Sequence, residues 1–347
     1  MAKAFIGGYG TGGIGRVEIG GDGSITLLGV TEPIDNPIYF AMDKGRHLLY
    51  VVQGAVLGKD RTANGALAVY SIYGDIGLRR LDLLVVGGSV PCHVSLSPDC
   101  SRLFYTDYRN AIVGAVALKA DGTFGKAVSV RHEGHGPNPD RQEAAHAHCA
   151  ITSPDGAMLF VCDLGLDTVF AYGLGSAEDG LVHLPDCDFH TEPGAGPRHL
   201  VFAPSGRNAY LVNELASTVQ SLAFDGRRFA PMQTLPMLPA GFDGDSKAAA
   251  IRISPDGHWV LASNRGHDSI ASFSIADDGS ISGPTAISRL TGRFPRDFAF
   301  VPGTDIVLCC HKLSDELATY RFDPADGSLS RLNGTMGFER PLAIAFL

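Results

Sequence analysis

Long apolar runs, paired cysteines and excess positive charge are all missing from this sequence of 347 residues. No run of 18 apolar residues occurs, so we expect no transmembrane helix and no membrane partner. The chain reaches Gly7 and Gly8 before any apolar signal segment could form, which predicts a cytoplasmic protein. The seven cysteines are an odd number without CxxC spacing and are expected to be reduced thiols, several of them buried.

Charge is scarce and its balance is negative. Only 19% of the residues are charged and the net charge is −9, so a broad positive field for nucleic acid is absent, although a local basic site remains open. The chain instead has 43 glycines and 20 prolines. This composition argues against a coiled coil or a disordered chain and favours many short strands joined by tight turns.

A turn of the type Ser-Pro-Asp-Gly recurs along the chain. Clear copies occupy residues 97–100, 153–156, 203–206 and 254–257, with looser copies at 42–45 and 301–304. Alternating residues precede each turn and an apolar run follows it, which predicts a β-hairpin. A second turn signature and a later Asp-Gly turn predict two further strands in every unit. The hairpins are 47 to 56 residues apart.

Units of about 50 residues with four short antiparallel strands are typical of a β-propeller. Residues 340–347 supply only the first strand of a seventh unit, and residues 5–9, 15–19 and 22–24 resemble its missing strands. We therefore predict an all-β, seven-bladed β-propeller with four antiparallel strands per blade. It would form a single domain over residues 1–347, with the last blade closed by both chain ends.

The register of the repeat predicts which residues share one rim. The first strand of a blade lies beside the central channel. Residues at its start (the entering positions) therefore share one rim with residues at the end of the second strand (the leaving positions). The hairpin turns lie at the opposite rim. The entering positions hold His146, His148, Arg198, Lys247 and Arg296. The leaving positions hold Asp107, Tyr108, Asp163, Asn213, Glu214, Asn264, Arg265, His311 and Lys312.

The cations of this rim predict a small anionic ligand, because arginine matches the geometry of carboxylate and phosphate. Alternatively, the charges pair among themselves and merely hydrate the channel mouth. Arg252 is separate, since it lies in the middle of a strand on a mostly apolar row. A buried guanidinium needs a partner, so Arg252 either pairs with a carboxylate or reaches toward a ligand.

Other chemistries find little support. The string His146-Ala147-His148, with Asp163 nearby, could chelate a metal, but two histidines serve equally as acid and base, and we predict no metal and no cofactor. A Gly-x-Ser-x-Gly elbow and a Walker loop are both missing. The glycine-rich residues 7–13 are not followed by a helical pattern and fit a bend between strands.

An ordered set of motifs resembles the seven-bladed lactonase family, which includes propeller-type 6-phosphogluconolactonases and the fungal carboxy-cis,cis-muconate lactonizing enzyme. The match runs from Asn36-Pro37 to Arg340-Pro341. Its motifs are Arg141-Gln142, His146-Ala147-His148, Gly196-Pro197-Arg198-His199, Val212-Asn213-Glu214-Leu215, Ile251-Arg252-Ile253 and Ser263-Asn264-Arg265-Gly266-His267-Asp268. The resemblance implies a catalytic site made of His148, Arg198, Glu214 and Arg265.

Two positions depart from the family pattern. Many relatives have proline where Ala145 stands and an acidic residue where Ala250 stands. The second change removes the carboxylate expected beside Arg252, which would free this arginine for a ligand or change the substrate class.

We therefore predict an enzyme that hydrolyses a small anionic sugar lactone, 6-phosphogluconolactone or a near relative, without a metal. Glu214 or His148 would act as the base on water and the other as the acid, while the arginines bind the anion and the developing oxyanion. The predicted substrate-binding residues are His146, His199, Arg252, Arg296, Asn213, Asn264, Asp163 and His311. Two alternatives stay open: a carboxymuconate cycloisomerase at the same site, and a propeller that binds sugar acids without turnover.

Overall fold

Antiparallel β-sheet makes up almost all regular structure in a computed structural model of the chain, which describes residues 1–10, 12–31, 33–57, 62–175 and 180–347. Across these residues, 29 strands form seven sheets, and two short 3₁₀ helices lie between strands of one of them. Each sheet contains a path of four hydrogen-bonded antiparallel strands. The predicted seven-bladed β-propeller is confirmed.

The chain divides into two compact units. The terminal unit consists of Met1–Thr11, Gly15–Gly29 and Pro197–Leu347, and the central unit consists of Gly12–Ile14 and Val30–Gly196. The expectation of a single domain stays a prediction. All seven cysteines are free thiols, and five of them are buried, in agreement with the sequence.

The chain begins with three strands of blade 7, which its last strand completes. They are β1 (Ala2–Gly8), β2 (Gly15–Ile19) and β3 (Ile25–Val30).

The central unit then forms blades 1 to 3. Blade 1 is β4 (Tyr39–Asp43), β5 (Leu48–Leu57), β6 (Thr62–Tyr73) and β7 (Gly77–Gly87); blade 2 is β8 (His93–Leu96), β9 (Arg102–Asp107), β10 (Ile112–Leu118) and β11 (Phe124–Arg131). Blade 3 is β12 (Ala147–Thr152), β13 (Met158–Asp163), β14 (Thr168–Leu174), β15 (Leu181–His183) and a short extra strand, β16 (Phe189–His190). The 3₁₀ helices are Leu164–Leu166 and Pro185–Cys187.

The terminal unit forms blades 4 to 7. Blade 4 is β17 (Pro197–Phe202), β18 (Asn208–Asn213), β19 (Thr218–Phe224) and β20 (Phe229–Pro236); blade 5 is β21 (Lys247–Ile253), β22 (Trp259–Arg265), β23 (Ser269–Ile275) and β24 (Ile281–Arg289). Blade 6 is β25 (Pro295–Phe300), β26 (Ile306–His311), β27 (Glu316–Phe322) and β28 (Leu329–Gly337), and β29 (Pro341–Phe346) completes blade 7.

The Ser-Pro-Asp-Gly signature forms the hairpin between the first two strands of a blade, as predicted. In blade 3, the Ser153 hydroxyl donates a hydrogen bond to Asp155 Oδ1 (2.5 Å), and the same oxygen accepts from the Ala157 amide (3.1 Å). The serine oxygen also accepts from the Met158 amide (3.0 Å). These side chains satisfy the polar groups of the turn, which explains why the motif recurs.

Both chain ends close blade 7. β29 pairs antiparallel with β1, so that Phe5 lies opposite Ala345 and Ile6 lies opposite Ile344. The strand order in the sheet is β29-β1-β2-β3. The C-terminal strand therefore covers an edge of β1 that would otherwise be open, and the predicted closure is confirmed.

The hydrophobic core lies between neighbouring sheets. In the terminal unit, buried clusters join blades 4 and 5 (Tyr210, Val212, Val260 and Phe273), blades 5 and 6 (Leu261, Phe298, Val307 and Tyr320), and blades 6 and 7 (Ile6, Val17, Ile306 and Leu317). In the central unit, a further cluster joins blades 2 and 3 (Phe104, Val113, Leu159 and Val161).

Removal of residues 341–347 should destabilise the protein, because it takes away the buried side chains of β29 and leaves β1 with an open edge. We expect the melting temperature to fall by about 10 °C or more, or the chain to become insoluble. Deletion of Leu347 alone, which lies outside β29, is the control. A truncated chain that melts within about 2 °C of the full chain would contradict this role of β29.

Candidate active site

An aspartate holds the turn that precedes the inner strand in three blades. Its carboxylate accepts a hydrogen bond from the backbone amide of the residue just before that strand. The pairs are Asp167 with Gly196 (2.8 Å), Asp268 with Phe294 (2.8 Å) and Asp315 with Arg340 (2.8 Å). These turns fix how the chain enters β17, β25 and β29.

A β-bulge follows near the start of the inner strand. In β17, Pro197 lies opposite Asn213 and His199 lies opposite Val212, so that Arg198 is the extra residue. Arg296 in β25 and His148 in β12 occupy the same place in bulges of their own. A bulge changes the direction of its side chain, which explains how charged residues interrupt strands that are otherwise apolar.

Glu214 forms ion pairs with two arginines from two blades. Its Oε2 atom lies 3.0 Å from Arg198 Nε and 2.8 Å from Arg265 Nη2. The three side chains are at most 5% exposed. Two guanidinium groups favour the ionised carboxylate, and one carboxylate neutralises only one of them. This triad of Arg198, Glu214 and Arg265 therefore has one positive charge in excess.

Backbone carbonyl groups of β21 fix the two arginines. Arg198 Nη1 donates to the Ala249 oxygen (2.6 Å), and Arg265 Nη2 donates to the Ala248 oxygen (2.6 Å). β21 has a register shift between Ala248 and Ile251, so these carbonyls lie at an irregular part of the strand. The guanidinium groups are therefore held in place before any ligand binds.

His199 is a buried neighbour of the triad. Its Nε2 atom lies 3.2 Å from Arg198 Nη1. Since arginine can only donate, Nε2 accepts this hydrogen bond and the proton of the neutral ring is on Nδ1. His199 thus contributes to the position of Arg198, and its predicted contact with substrate stays a prediction.

Lys312 lies between two aromatic rings. Its Nζ atom is 5.4 Å from the ring centre of Tyr9 and 5.5 Å from that of Phe294. The guanidinium of Arg265 also lies over the Phe294 ring, at 5.2 Å. Within the part of the chain that the structure describes, no carboxylate lies within ion-pair distance of Lys312 or of Arg296.

Positive charge is concentrated around Lys312. Burial of the ammonium, together with the charges of Arg296, Arg265 and Arg340, lowers the pKa of Lys312. A cation surrounded by cations and lacking a counterion attracts anions. The terminal unit therefore contains a region of concentrated positive charge, although the net charge of the chain is −9.

In the central unit, Tyr108 contacts both histidines of the His-Ala-His string. Its ring stacks on His146 at 4.3 Å and meets the ring of His148 edge-on at 5.7 Å. His146 is held further by the Tyr108 carbonyl (2.9 Å from Nδ1) and by Glu143 (3.2 Å from Nε2). Both histidines are buried.

Asp163 is fully buried in the central unit. Its Oδ1 atom accepts hydrogen bonds from the amides of His146 (2.7 Å) and Gly165 (3.0 Å), and Oδ2 lies 2.6 Å from His132 Nδ1. These contacts position the backbone beside the His-Ala-His string. The predicted contact of Asp163 with substrate stays a prediction.

Three predicted binding residues in the terminal unit occupy the same register as Asp163 and contact side chains of the third strand. The contacts are Asn213 with Thr218 (3.0 Å), Asn264 with Ser269 (3.1 Å) and His311 with Tyr320 (3.0 Å). Burial, with a smaller effect of the Arg331 charge, lowers the pKa of His311 to about 4. His311 is therefore neutral at neutral pH, and a substrate role for the three residues stays a prediction.

Arg252 forms an ion pair with Asp297 (2.6 Å between Nη2 and Oδ1). Of the two alternatives that the sequence left open, the structure shows the carboxylate pair. The expectation that Ala250 leaves Arg252 without a carboxylate is wrong, because Asp297 on the neighbouring inner strand supplies it. A substrate contact of Arg252 stays a prediction.

Sequence reasoning gave no functional role to Tyr9, Phe294 or Lys312. Lys312 carried a signal, since it occupies the same register of the repeat as Glu214 and Arg265. Phe294 is one of the entering positions of the repeat register, whereas Tyr9 carried no signal because it comes from the far end of the chain.

Among the described residues, no group of three or more His, Cys, Asp or Glu side chains is arranged to hold a metal ion. In the same ranges, no helix has the length and apolar character needed to cross a membrane. The expected cytoplasmic location stays a prediction.

Comparisons with known proteins agree over nearly the whole chain. Residues 3–346 match the family model described as lactonase, 7-bladed beta-propeller. The 6-phosphogluconolactonase of Bacillus subtilis is 32% identical over 322 residues, which are 90% of this chain and 88% of the relative. The structure of a periplasmic gluconolactonase of Pseudomonas aeruginosa superposes with a TM-score of 0.92 at 30% identity, covering 100% of this chain and 99% of that one.

A crystal structure of a protein from Lactobacillus plantarum also superposes over the full length of both chains, with a TM-score of 0.90 at 30% identity. With the family model matching almost every residue, the resemblance seen in the sequence is confirmed: the chain belongs to the seven-bladed β-propeller lactonase family, and it is a lactonase.

Proposed function

We propose that this lactonase hydrolyses an anionic sugar lactone, 6-phosphogluconolactone or a near relative, by acid–base catalysis that requires no metal and no cofactor. The observation that carries the proposal is the buried triad of Arg198, Glu214 and Arg265 with its excess positive charge. The name of the Bacillus subtilis relative supports the phosphorylated substrate. The charges of Lys312 and Arg296, which have no carboxylate partner among the described residues, support an anionic substrate.

Hydrolysis of a lactone places negative charge on the carbonyl oxygen. Water attacks the carbonyl carbon, the tetrahedral intermediate carries an oxyanion, and the ring C–O bond then breaks while the leaving oxygen takes up a proton. Donors that are fixed before the reaction stabilise such an oxyanion most effectively. Arg198 and Arg265 are fixed in this way by Glu214 and by carbonyl groups, and they are our candidates for this task.

The base that activates the water must be free to accept a proton. Ion pairs with two arginines make the Glu214 carboxylate a poor proton acceptor, because protonation would break both. We therefore assign Glu214 the task of orienting the arginines. The family resemblance supplies His148 as the remaining candidate for the base.

Glu214→Gln should abolish most of the activity, because glutamine keeps the shape but loses the charge that orients both arginines. We expect kcat/KM for 6-phosphogluconolactone to fall about 100-fold or more. The assay measures proton release, corrected for spontaneous opening of the lactone. Glu316→Gln makes the same change in a half-exposed ion pair with Arg331 and is the control.

Loss of a buried counterion also threatens folding, by about 3 to 5 kcal/mol. Circular dichroism must therefore show that the Glu214→Gln protein is folded. If it is not, Arg265→Lys, which keeps the charge but loses the planar fork, provides the second test. A folded variant of either kind with kcat/KM within threefold of the wild type would remove the triad from the mechanism.

His148→Ala should lower kcat about 100-fold or more if His148 is the base, and added imidazole should restore part of the lost rate. The same substitution at His258, an exposed residue of the blade 5 hairpin turn, is the control for nonspecific effects of imidazole. Full activity of His148→Ala, or a loss that imidazole does not change, would contradict this assignment.

The two alternative functions have their own signatures in the same set of experiments. Ring closure of a carboxymuconate destroys a conjugated diene and would lower the ultraviolet absorbance. A binding protein without turnover would bind sugar acids saturably and release no protons. Either result, with no acceleration of any lactone, would replace hydrolysis as the proposed function.

A further inference from the structure

Two cations near the triad lack a counterion among the described residues. Lys312 follows β26 directly, and Arg296 is the bulged residue of β25 in the same blade. Both side chains are half-buried, so their charges are only partly solvated. An external anion could therefore pair with both cations without breaking an existing ion pair of the described residues.

The ring of Phe294 contacts Lys312 and also Arg265 of the triad. Arg265 lies over the ring at 5.2 Å, and Lys312 lies over it at 5.5 Å. Each cation is attracted by the π electrons of the ring. Phe294 thus contacts both Lys312 and one of the proposed catalytic arginines.

The backbone of Phe294 is strained. Its φ angle is +63°, in the left-handed region that bulky residues avoid. Gly196 occupies the corresponding position before β17, with φ of +67° and the same aspartate hydrogen bond. Glycine adopts this conformation without strain. The fold therefore permits glycine here, and this chain has phenylalanine instead.

Hydrogen bonds at both ends of its backbone hold Phe294 in this conformation. Its amide donates to Asp268 Oδ1 (2.8 Å), and its carbonyl accepts from the amide of Lys312 (3.1 Å). Arg340 repeats the pattern before β29, with φ of +37° and a backbone amide that donates a hydrogen bond to Asp315 Oδ1 (2.8 Å). Two residues with a left-handed backbone thus lie near Lys312, in a fold whose turns use the same conformation at Asp167, Ser217, Asp268 and Asp315.

We infer that Lys312 and Arg296, with the ring of Phe294 as one wall, form a subsite for a phosphate monoester, and that this subsite makes the enzyme select phosphorylated lactones over plain ones. The inference rests on the proposed function and deepens it. A phosphate monoester carries nearly two negative charges at neutral pH and matches the two unpaired cations. The triad has only one excess charge, which matches the single charge of an oxyanion.

The test compares ligands with and without the phosphate. Lys312→Met keeps the length of the side chain and removes its charge, Lys312→Arg keeps the charge, and Lys44→Met, in the exposed turn between β4 and β5, is the matched control. We expect Lys312→Met to lower kcat/KM for 6-phosphogluconolactone about 100-fold, mainly through a higher KM. The value of kcat/KM for plain gluconolactone should stay within about threefold of the wild type. Lys312→Arg should retain most of the activity.

Binding gives a readout that does not depend on turnover. Calorimetry with 6-phosphogluconate and gluconate should show that the wild type prefers the phosphorylated acid about 100-fold and that Lys312→Met loses most of this preference. An equal effect of Lys312→Met on both ligands, or no preference in the wild type, would overturn the subsite. A wild type with the preference but without lactone hydrolysis would overturn only the proposed function.

Phe294→Gly removes the aromatic ring and keeps the left-handed backbone, so it tests the role of the ring alone. Glycine occurs at the corresponding position 196 and tolerates the left-handed conformation, so we expect the variant to fold. Its preference for 6-phosphogluconate over gluconate should be about tenfold smaller than that of the wild type. An unchanged preference in the folded variant would show that the ring is not part of the subsite.

Discussion

The carboxylate of Glu214 holds guanidinium groups from two blades, and the chemistry proposed for the terminal unit depends on this contact. Arg198 and Arg265 are almost completely buried, where an unpaired guanidinium would be costly. A single carboxylate offsets part of the free-energy cost of burying both arginines, and carbonyl groups of β21 fix the planes of the guanidinium groups. The triad itself has a net charge of +1, and in the proposed function this charge stabilises the developing oxyanion.

One repeated element supplies both the framework and the site. At the end of the second strand in blades 3, 4 and 6, one residue contacts the turn or the third strand, as Asp163, Asn213 and His311 do. In blades 4 and 6 the next residue is charged: Glu214 belongs to the triad, and Lys312 contacts the ring of Phe294. Successive residues point in different directions at this step, so the structural and chemical tasks are divided between neighbours.

Much of the fold could be predicted from the sequence because it repeats. The Ser-Pro-Asp-Gly turns gave the hairpins, and the incomplete seventh unit predicted the pairing of β29 with β1. The position of Glu214 beside Arg198 and Arg265 followed from the register together with the family motifs.

The remaining features could not be predicted because they depend on contacts between segments far apart in sequence. Asp297 gave Arg252 its carboxylate from the neighbouring inner strand, which no pattern within one blade reveals. The bulges at Arg198 and Arg296 break the alternation on which register counting relies. The left-handed backbone of Phe294 is hidden as well, since glycine is the usual sequence sign of that conformation.

The most direct measurement is a crystal structure of the protein soaked with 6-phosphogluconate, the product of the proposed reaction. We expect the carboxylate of the ligand, which derives from the lactone carbonyl, to contact Arg198 and Arg265, and the phosphate to contact Lys312 and Arg296. A ligand bound elsewhere, or bound in the opposite orientation with its phosphate on the two arginines of the triad, would contradict the proposed site.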